Sequence, residues 1–165
     1  GDKAAGSALA LMAGLESLIC SVSSKAKGSN MKTILAAVDG SAPSYRALEQ
    51  AALLSKALGA DLVVLLVRQF IVGRHDVLEV WTNEQVSEIR KLIGKVVSES
   101  GTPSHRVLEE HSRDVAYAIV EAALSNHVDL IVMGASGMGS IKAFILGSVS
   151  NSVLRQAACP VMIVH

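Results

Sequence analysis

The chain has 165 residues, a length that fits one domain. Half of the residues are hydrophobic and 18% are charged, which excludes intrinsic disorder because disordered chains combine low hydrophobicity with high net charge. The 15 Lys and Arg balance the 15 Asp and Glu, and aromatic residues make up only 3%. The chain therefore has neither a net field to attract nucleic acid nor many rings to stack on bases, and we expect no nucleic-acid partner.

The first thirty residues differ from the rest, because Gly, Ala and Ser dominate there. An apolar run from Ala8 to Val22 is too short to span a bilayer and is interrupted by Glu16, so we expect no membrane span. Its helical spacing predicts a short amphipathic helix. We interpret residues 1–30 as an added or lineage-specific leader, with a self-association helix as the alternative, and residues 31–165 as the functional domain.

The two cysteines, Cys20 and Cys159, are far apart, and neither they nor the five histidines show a metal-ligand spacing. We expect no disulfide, no protein-bound metal and a reducing, cytoplasmic location.

From Lys32 onward, short apolar runs alternate with amphipathic stretches. The apolar runs predict strands at 32–38, 61–67, 105–111, 128–134 and 160–164. The periodic stretches predict helices from Ser41 to Gly59, over 82–100, after Asp114 and over 148–157, with a polar loop between 67 and 82.

Continuous apolar strands separated by helices predict an α/β fold, an open, doubly wound parallel sheet covered on both faces. In such a sheet the ligand crevice lies beyond the carboxyl ends of the strands, where the strand order reverses. Turn residues follow two of the predicted strands, Asp39-Gly40-Ser41 after the first and Gly134 at the end of the fourth. We expect the functional site between these two turns.

Glycines are concentrated between residues 134 and 147, at Gly134, Gly137, Gly139 and Gly147. Because Gly147 precedes the last predicted helix, the first amides of that helix should be unpaired and attract phosphate. The segment matches neither the P-loop pattern, since Lys is missing after Gly139, nor the GxGxxG dinucleotide fingerprint.

The spacing Gly134-x2-Gly137-x9-Gly147-Ser148, with "AAVDGS" and "DLIVMG" at the two strands, resembles the universal stress protein family and its ATP-binding branch over residues 31–165. The resemblance implies a five-stranded Rossmann-like sheet of the adenine nucleotide alpha hydrolase type, with strand order 3-2-1-4-5. One departure is Glu110-His111-Ser112, where the family often has a glycine turn.

The resemblance also implies an adenine nucleotide as ligand, ATP in the first place, with Mg²⁺ carried by its phosphates. The residues implied for the adenosine are Val38, Asp39, Gly40, Ser41, Val67 and Met133. The residues implied for the ribose and phosphates are Gly134, Gly137, Gly147, Ser148, Val149 and Ser150.

Simpler roles remain open for several of these residues. Asp39 is also a typical turn cap, Ser148 a typical helix cap, and Met133 a typical core residue. For Lys142 a solvated loop lysine is favoured over a phosphate ligand.

The resemblance implies a nucleotide-dependent stress-response module that forms a homodimer through the last strand, Val161 to Val164. The alternatives are a slow ATP hydrolase or nucleotidyl-transfer enzyme on the same fold, a binder of AMP or a cyclic nucleotide, and a scaffold without ligand. An enzyme is disfavoured because no Walker lysine, arginine finger or base with an orienting partner accompanies Asp39 and the glycines.

Overall fold

The computed structural model describes residues 31–74, 76–102, 104–136 and 146–165. The strands are β1 (Thr33–Val38), β2 (Asp61–Val72), β3 (Val77–Glu79), β4 (His105–Ser112), β5 (Leu130–Gly134) and β6 (Val161–Val164). The helices are α1 (Ala42–Leu58), α2 (Asn83–Ser100), α3 (Val115–Ser125) and α4 (Ser148–Gln156). The predictions made for residues 1–30, Gly137, Gly139 and Lys142 lie outside the described residues.

The sheet is mostly parallel, and β1 lies at its centre between β2 and β5. Ala36 of β1 is in register with Val64 of β2 on one side and Val132 of β5 on the other. β4 and β6 add parallel strands beyond β2 and β5. The α/β class is confirmed, and the parallel strands follow one another as β4-β2-β1-β5-β6, the arrangement expected from the family resemblance.

The predicted number of five strands is wrong, because the sheet has six. β2 does not stop at Val67 but continues to Val72, and its last residues pair antiparallel with β3. The expected polar loop is thus a β-hairpin. Two polar residues, Arg68 and Gln69, made β2 look finished, although the apolar run that follows them continues the strand.

Each face of the sheet is covered by a pair of helices. Alternate residues of β1 point to opposite faces, so that Ile34 and Val38 join a cluster with α1 and α2, whereas Leu35 and Ala37 join one with α3 and α4. These strand residues are 0 to 9% exposed. Both faces are therefore dry, which explains why the central strands are apolar without alternation.

The helix ends differ in how their first amides are satisfied. At α1 the Ser41 side chain accepts from the amide of Ser44, and at α2 Thr82 and Gln85 form a capping box. At α4 the N-cap is Gly147, which has no side chain to accept a hydrogen bond. Because an uncapped helix start leaves several N–H groups without acceptors, α4 is the helix of this fold best prepared to receive an anion.

Candidate functional site

A cleft of about 550 Å³ opens at the carboxyl ends of β1, β2 and β5. Its volume lies within the range of about 300–1,000 Å³ typical of small-molecule sites. The first residues of α4 lie at one side of the cleft, and Gln69, Val80 and Trp81 of the hairpin region lie at the other. Strands β1 and β5 are adjacent, and the helices that follow them, α1 and α4, cover opposite faces of the sheet. The carboxyl ends of two such strands are the position expected for a ligand crevice in an open α/β fold.

The lining is apolar towards the α3–α4 face of the sheet. It is formed there by Leu65, Val67, Ile119 and Met133. Val67 is 7% exposed and Met133 is 5% exposed, so each of them offers only a few atoms to the cleft while most of its side chain packs in the core. Met133 is thus a core residue that also contacts the cleft.

The turn after β1 is held by the carboxylate of Asp39. Its Oδ1 accepts hydrogen bonds from the amide of Ser41 at 3.0 Å and from the Ser41 hydroxyl at 2.6 Å. Gly40 has φ +78°, and a Cβ there would lie 3.0 Å from Cδ1 of Ile89. The turn-capping role of Asp39 is therefore real, and it is compatible with a ligand role because Asp39 also lines the cleft.

Gly40 and Ser41 are not among the described lining residues of the cleft, unlike their neighbours Val38 and Asp39. Ser41 is 9% exposed, and its hydroxyl both donates to Asp39 and accepts from the Ser44 amide as the N-cap of α1. Gly40 and Ser41 therefore support the site by shaping the turn, and the cleft is lined by their neighbours.

Gly134 ends β5 directly beneath the start of α1. A Cβ built on Gly134 would lie 2.9 Å from the carbonyl carbon of Pro43 and 3.0 Å from the backbone nitrogen of Ser44. Real Cβ atoms do not approach backbone so closely, so glycine is required here for packing. The Gly134 carbonyl accepts from the Ser150 hydroxyl at 2.9 Å, which ties the end of β5 to α4.

The start of α4 is fixed against the end of β5. The amide of Gly147 donates to the carbonyl of Ala135 at 2.7 Å, and the Gly147 carbonyl accepts from Asn151 at 2.9 Å. Gly147 has φ −63° and ψ 157°, an extended conformation that directs the following amides of the helix outward. Gly147 and the first three residues of α4, Ser148, Val149 and Ser150, line the cleft.

Charged side chains support the hairpin side of the cleft. The guanidinium of Arg68 contacts Glu79 of β3, Asn83 of α2 at 3.2 Å, and Glu109 of β4 at 3.4 Å. Arg90 makes a further ion pair with Glu109. Burial raises the pKa of Glu109, but its hydrogen bonds and attraction to Arg90 and Arg68 outweigh burial and leave that pKa below the usual value.

Ionisable groups are scarce inside the cleft. Among its described lining residues, Asp39 is the one with an ionisable side chain. Nearby Tyr45 has a raised pKa, because its ring is partly buried and the Asp39 carboxylate disfavours a phenolate. Over the ranges that the structure describes, no three His, Cys, Asp or Glu side chains come together as a metal site. The described lining therefore offers polar groups and one carboxylate, Asp39, which Ser41 orients, and it contains no Lys, Arg or His side chain.

The sequence missed part of the site. Val80, Trp81 and Gln69 line the cleft, although we predicted a polar loop between 67 and 82 and named none of the three as a site residue. A signal was present: the run Val77 to Trp81 has strand composition and follows a Gly-containing turn.

None of the helices in the described part of the chain is long and apolar enough to cross a bilayer.

These features define an open α/β protein with a crevice, lined by one uncapped helix start, at the point where its strand order reverses. A model of the Universal stress protein family matches residues 30–165, and the chain belongs to this family. A universal stress protein of Thermus aquaticus is 33% identical over 136 residues, which cover 81% of this chain and 98% of that protein.

Two solved structures are also similar. One is a universal stress protein in complex with cAMP, 26% identical, with a TM-score of 0.66 over 83% of this chain and 98% of the other. The second is a universal stress protein from Archaeoglobus fulgidus in complex with dAMP, 20% identical, with a TM-score of 0.60 over 82% and 98% of the two chains. At that identity the second likeness shows the shared fold.

Proposed function

We propose that the cleft binds an adenine nucleotide, ATP in the first place, and that nucleotide occupancy makes this cytoplasmic protein a stress-response signalling module. The observation that carries the proposal is the start of α4, a helix N-terminus without a side-chain cap that lines a cleft of nucleotide size. The complex of a 26% identical relative with cAMP supports the adenine class of ligand.

The phosphates belong at the start of α4 in this proposal. Ser148, Val149 and Ser150 contribute their amides, because the first N–H groups of a helix have no acceptor inside it and carry the positive end of the helix dipole. The Ser148 hydroxyl is exposed and available, whereas the Ser150 hydroxyl already donates to Gly134. The spacing of Gly134, Gly137 and Gly147, which resembles that of the ATP-binding branch of the family, supports the same assignment.

The adenosine then extends from α4 across the end of β1 towards β2. Val38, Asp39, Val67 and Met133 line this path. Val67 and Met133 supply apolar surface for the base, and Asp39 supplies a carboxylate that can accept hydrogen bonds from ribose hydroxyls. Gly40 and Ser41 act through the shape of the turn.

Magnesium fits this site as a companion of ATP. The one carboxylate in the described lining, Asp39, is too few ligands for a protein-built site, whereas Mg²⁺ commonly keeps its waters and binds substrate phosphates. The ion would supply charge neutralisation of the phosphates, which this proposal places at the start of α4.

Binding rather than turnover is the function that the described lining supports best. An ATP hydrolase or nucleotidyl-transfer enzyme needs a cationic side chain aimed at the transferred group beside an oriented base. Ser41 orients the Asp39 carboxylate, but the described lining contains no Lys or Arg to accompany it. Slow hydrolysis is the enzyme alternative. A preference for AMP or a cyclic nucleotide is the binding alternative, which the cAMP complex of the relative favours.

A homodimer through β6 completes the proposal. All four residues of β6, Val161 to Val164, are half-buried and apolar, and the strand pairs with β5 along one edge. An apolar edge strand of this kind invites pairing with a second copy across a two-fold axis. The carbonyls of Pro160 and Val164 accept from the β5 side, so the backbone alternation turns the N–H of Ile163 outward.

The dimer is tested with Ile163→Pro, which removes that outward N–H, beside Ile163→Val as the matched control. We expect a monomer for the first variant and a dimer for the second by light scattering coupled to gel filtration. A dimer in both variants would contradict pairing through β6.

The phosphate site is tested with two substitutions of one residue. Ser148→Pro deletes an amide at the first helical position, where proline is well tolerated, and the extended Gly147 before it suits a following proline. Ser148→Ala keeps the amide and removes the hydroxyl. Because a hydrogen bond to a charged group contributes about 1.5–3 kcal/mol, ATP affinity should fall roughly 10- to 150-fold in the proline variant and much less in the alanine variant.

The measurements are titration calorimetry with ATP, AMP and cAMP, and mass spectrometry of nucleotide released from purified protein. Persistence of bound ATP in the presence of magnesium distinguishes a binding module from a hydrolase. Absence of heat with all three nucleotides in the unsubstituted protein would overturn the proposal.

A further inference from the structure

We propose that Trp81 forms the base-binding wall of the cleft and, with Gln69, makes the site select adenine over guanine. This inference rests on the proposed nucleotide-binding function and adds a specificity determinant to it.

Trp81 lies between β3 and α2, and its side chain turns inward rather than to solvent. It is 8% exposed, so most of the indole packs in the cluster under α1 and α2 and a small part of it lines the cleft. Its Cη2 lies 3.7 Å from the Cβ position at Gly40. The indole therefore stands directly beside the turn that carries Asp39.

The wall formed by Trp81 is held from both sides. Before it, the amide of Val80 donates to the carbonyl of Gln69 at 2.9 Å, which continues the hairpin ladder. After it, Thr82 and Gln85 form the capping box that begins α2. A side chain between two such anchors has little freedom, and a preorganised aromatic surface binds a planar ligand at low entropic cost.

The side chain of Arg68 holds the same segment in place. It binds Glu79, two residues before Trp81, and Asn83, two residues after it. Its side chain is only 13% exposed. Arg68 is thus a positioning residue that ties both flanks of the wall to β2.

The position of Trp81 suits the base and not the phosphates. Trp81 stands at the β2 side of the cleft, whereas the start of α4 stands at the β5 side, with β1 between them. Adjacent strands are about 4.8 Å apart, so the two sides are separated by roughly 10 Å, a separation suited to a nucleotide lying with base and phosphates at opposite ends. The apolar surface of Val67 would lie opposite the indole.

Gln69 supplies the polar edge of the same end. It lines the cleft, and its Nε2 donates to the carbonyl of Arg113 at 3.4 Å. Because Nε2 is engaged in that contact, Oε1 is the atom of the Gln69 amide that can accept a hydrogen bond from a ligand. Adenine presents an amino group at position 6 where guanine presents a carbonyl oxygen, so an acceptor at this edge favours adenine.

The experiment uses the full chain and two kinds of probe. ATP and GTP engage both ends of the cleft, whereas inorganic tripolyphosphate engages only the phosphate end. Because this is the sole tryptophan of the chain, its fluorescence reports on one site. We expect ATP to change the emission of the unsubstituted protein, and tripolyphosphate to leave it nearly unchanged.

The variants are Trp81→Leu and the conservative Trp81→Phe, with Tyr117→Leu as a control at an exposed aromatic of α3. Base stacking on an accessible aromatic ring is worth about 1–3 kcal/mol, and because a small part of the indole faces the cleft we expect the lower part of that range, roughly 5- to 10-fold in affinity. ATP affinity should fall by such a factor in Trp81→Leu and by less in Trp81→Phe. The affinity for tripolyphosphate itself should stay unchanged in both Trp81 variants, as should the affinity of Tyr117→Leu for ATP. Gln69→Leu should reduce the preference for ATP over GTP.

The outcomes separate the two proposals. No binding of any nucleotide to the unsubstituted protein overturns the proposed function and this inference with it. Binding that leaves the emission unmoved, and that Trp81→Leu and Trp81→Phe retain at full strength, overturns only the role of Trp81. Equal losses for ATP and tripolyphosphate in Trp81→Leu would show a general structural effect and would also overturn it. If Trp81→Leu does not unfold cooperatively, the role of Trp81 is judged from the ATP affinity of Trp81→Phe and from the tryptophan emission of the unsubstituted protein.

Discussion

Substituting Gly134 by alanine tests whether this glycine is needed for packing. The added Cβ would lie 2.9 Å from the carbonyl carbon and the Cβ of Pro43, and 3.0 Å from the nitrogen of Ser44. Two of these three atoms belong to the backbone at the start of α1, so relief requires the helix or β5 to shift. Overpacking of a dry interior typically costs about 1–3 kcal/mol, and backbone neighbours favour the upper part of that range.

The matched control is Gly94→Ala in α2. A Cβ at Gly94 meets nothing within 4 Å, and alanine is favoured over glycine inside a helix by about 0.8–1 kcal/mol. The two substitutions add the same single carbon, so their difference combines the contact with Pro43 and the known helix preference of alanine at Gly94. Gly94→Ala should be neutral to stabilising, whereas Gly134→Ala should destabilise.

The assay is urea unfolding followed by circular dichroism, with the midpoint and slope fitted for both variants. Thermal unfolding is the second measurement. For a domain of this size, each kcal/mol of destabilisation should lower Tm by several degrees, a shift that the method resolves well. A Gly134→Ala protein as stable as its parent would refute the packing argument. Equal destabilisation by both alanines would refute it too, because the cost would then not depend on the neighbours of the glycine.

Three further predictions concern single side chains. Arg68→Met leaves the carboxylate of Glu109 with one partner fewer and should cost about 1–3 kcal/mol in urea unfolding, less at high salt because the ion pair is partly exposed. The pKa of Glu109 is lowered in the folded state, so its ion pairs stabilise fully above the ordinary glutamate pKa and are lost as the pH falls through the lowered value; Glu109→Gln should flatten the acid limb of the stability curve. Burial raises the pKa of the Cys159 thiol, so in a Cys20→Ser background iodoacetamide should alkylate it more slowly than a free thiol at neutral pH; a faster rate would contradict its burial.

Much of the fold is predictable because its determinants are local. β1 and β5 are short apolar runs with turn residues behind them, and α1 carries its own signals in Ser41, Pro43 and Gly59. Parallel pairing follows once helices separate the strands. The hairpin of β2 and β3 was missed because Arg68 and Gln69 interrupt the apolar run of β2. Arg68 is polar in sequence, yet its side chain is largely covered in the structure.

The site is predictable to a similar degree and for a similar reason. The segments that end strands or begin helices, around Asp39 and Gly147, are visible as turn and glycine patterns, and the structure brings both to one cleft. Trp81 was not visible as a site residue, because its place depends on how the hairpin folds back on β2. The glycine pattern itself was ambiguous: at Gly134 the sequence cannot distinguish room for a ligand from room for Pro43.

The glycine at the head of α4 has a cost that the protein bears whenever no ligand is bound. When a helix begins with Asp or Asn, that side chain accepts hydrogen bonds from its first amides. Because Gly147 lacks such a side chain, the free energy of unfolding is lower by a few tenths of a kcal/mol up to about 1 kcal/mol. A carboxylate introduced by Gly147→Asp should therefore raise the melting temperature and compete with any anion for the same N–H groups. Thermal stability and ligand affinity would move in opposite directions from one substitution, which is the signature of a helix end selected for what it can receive.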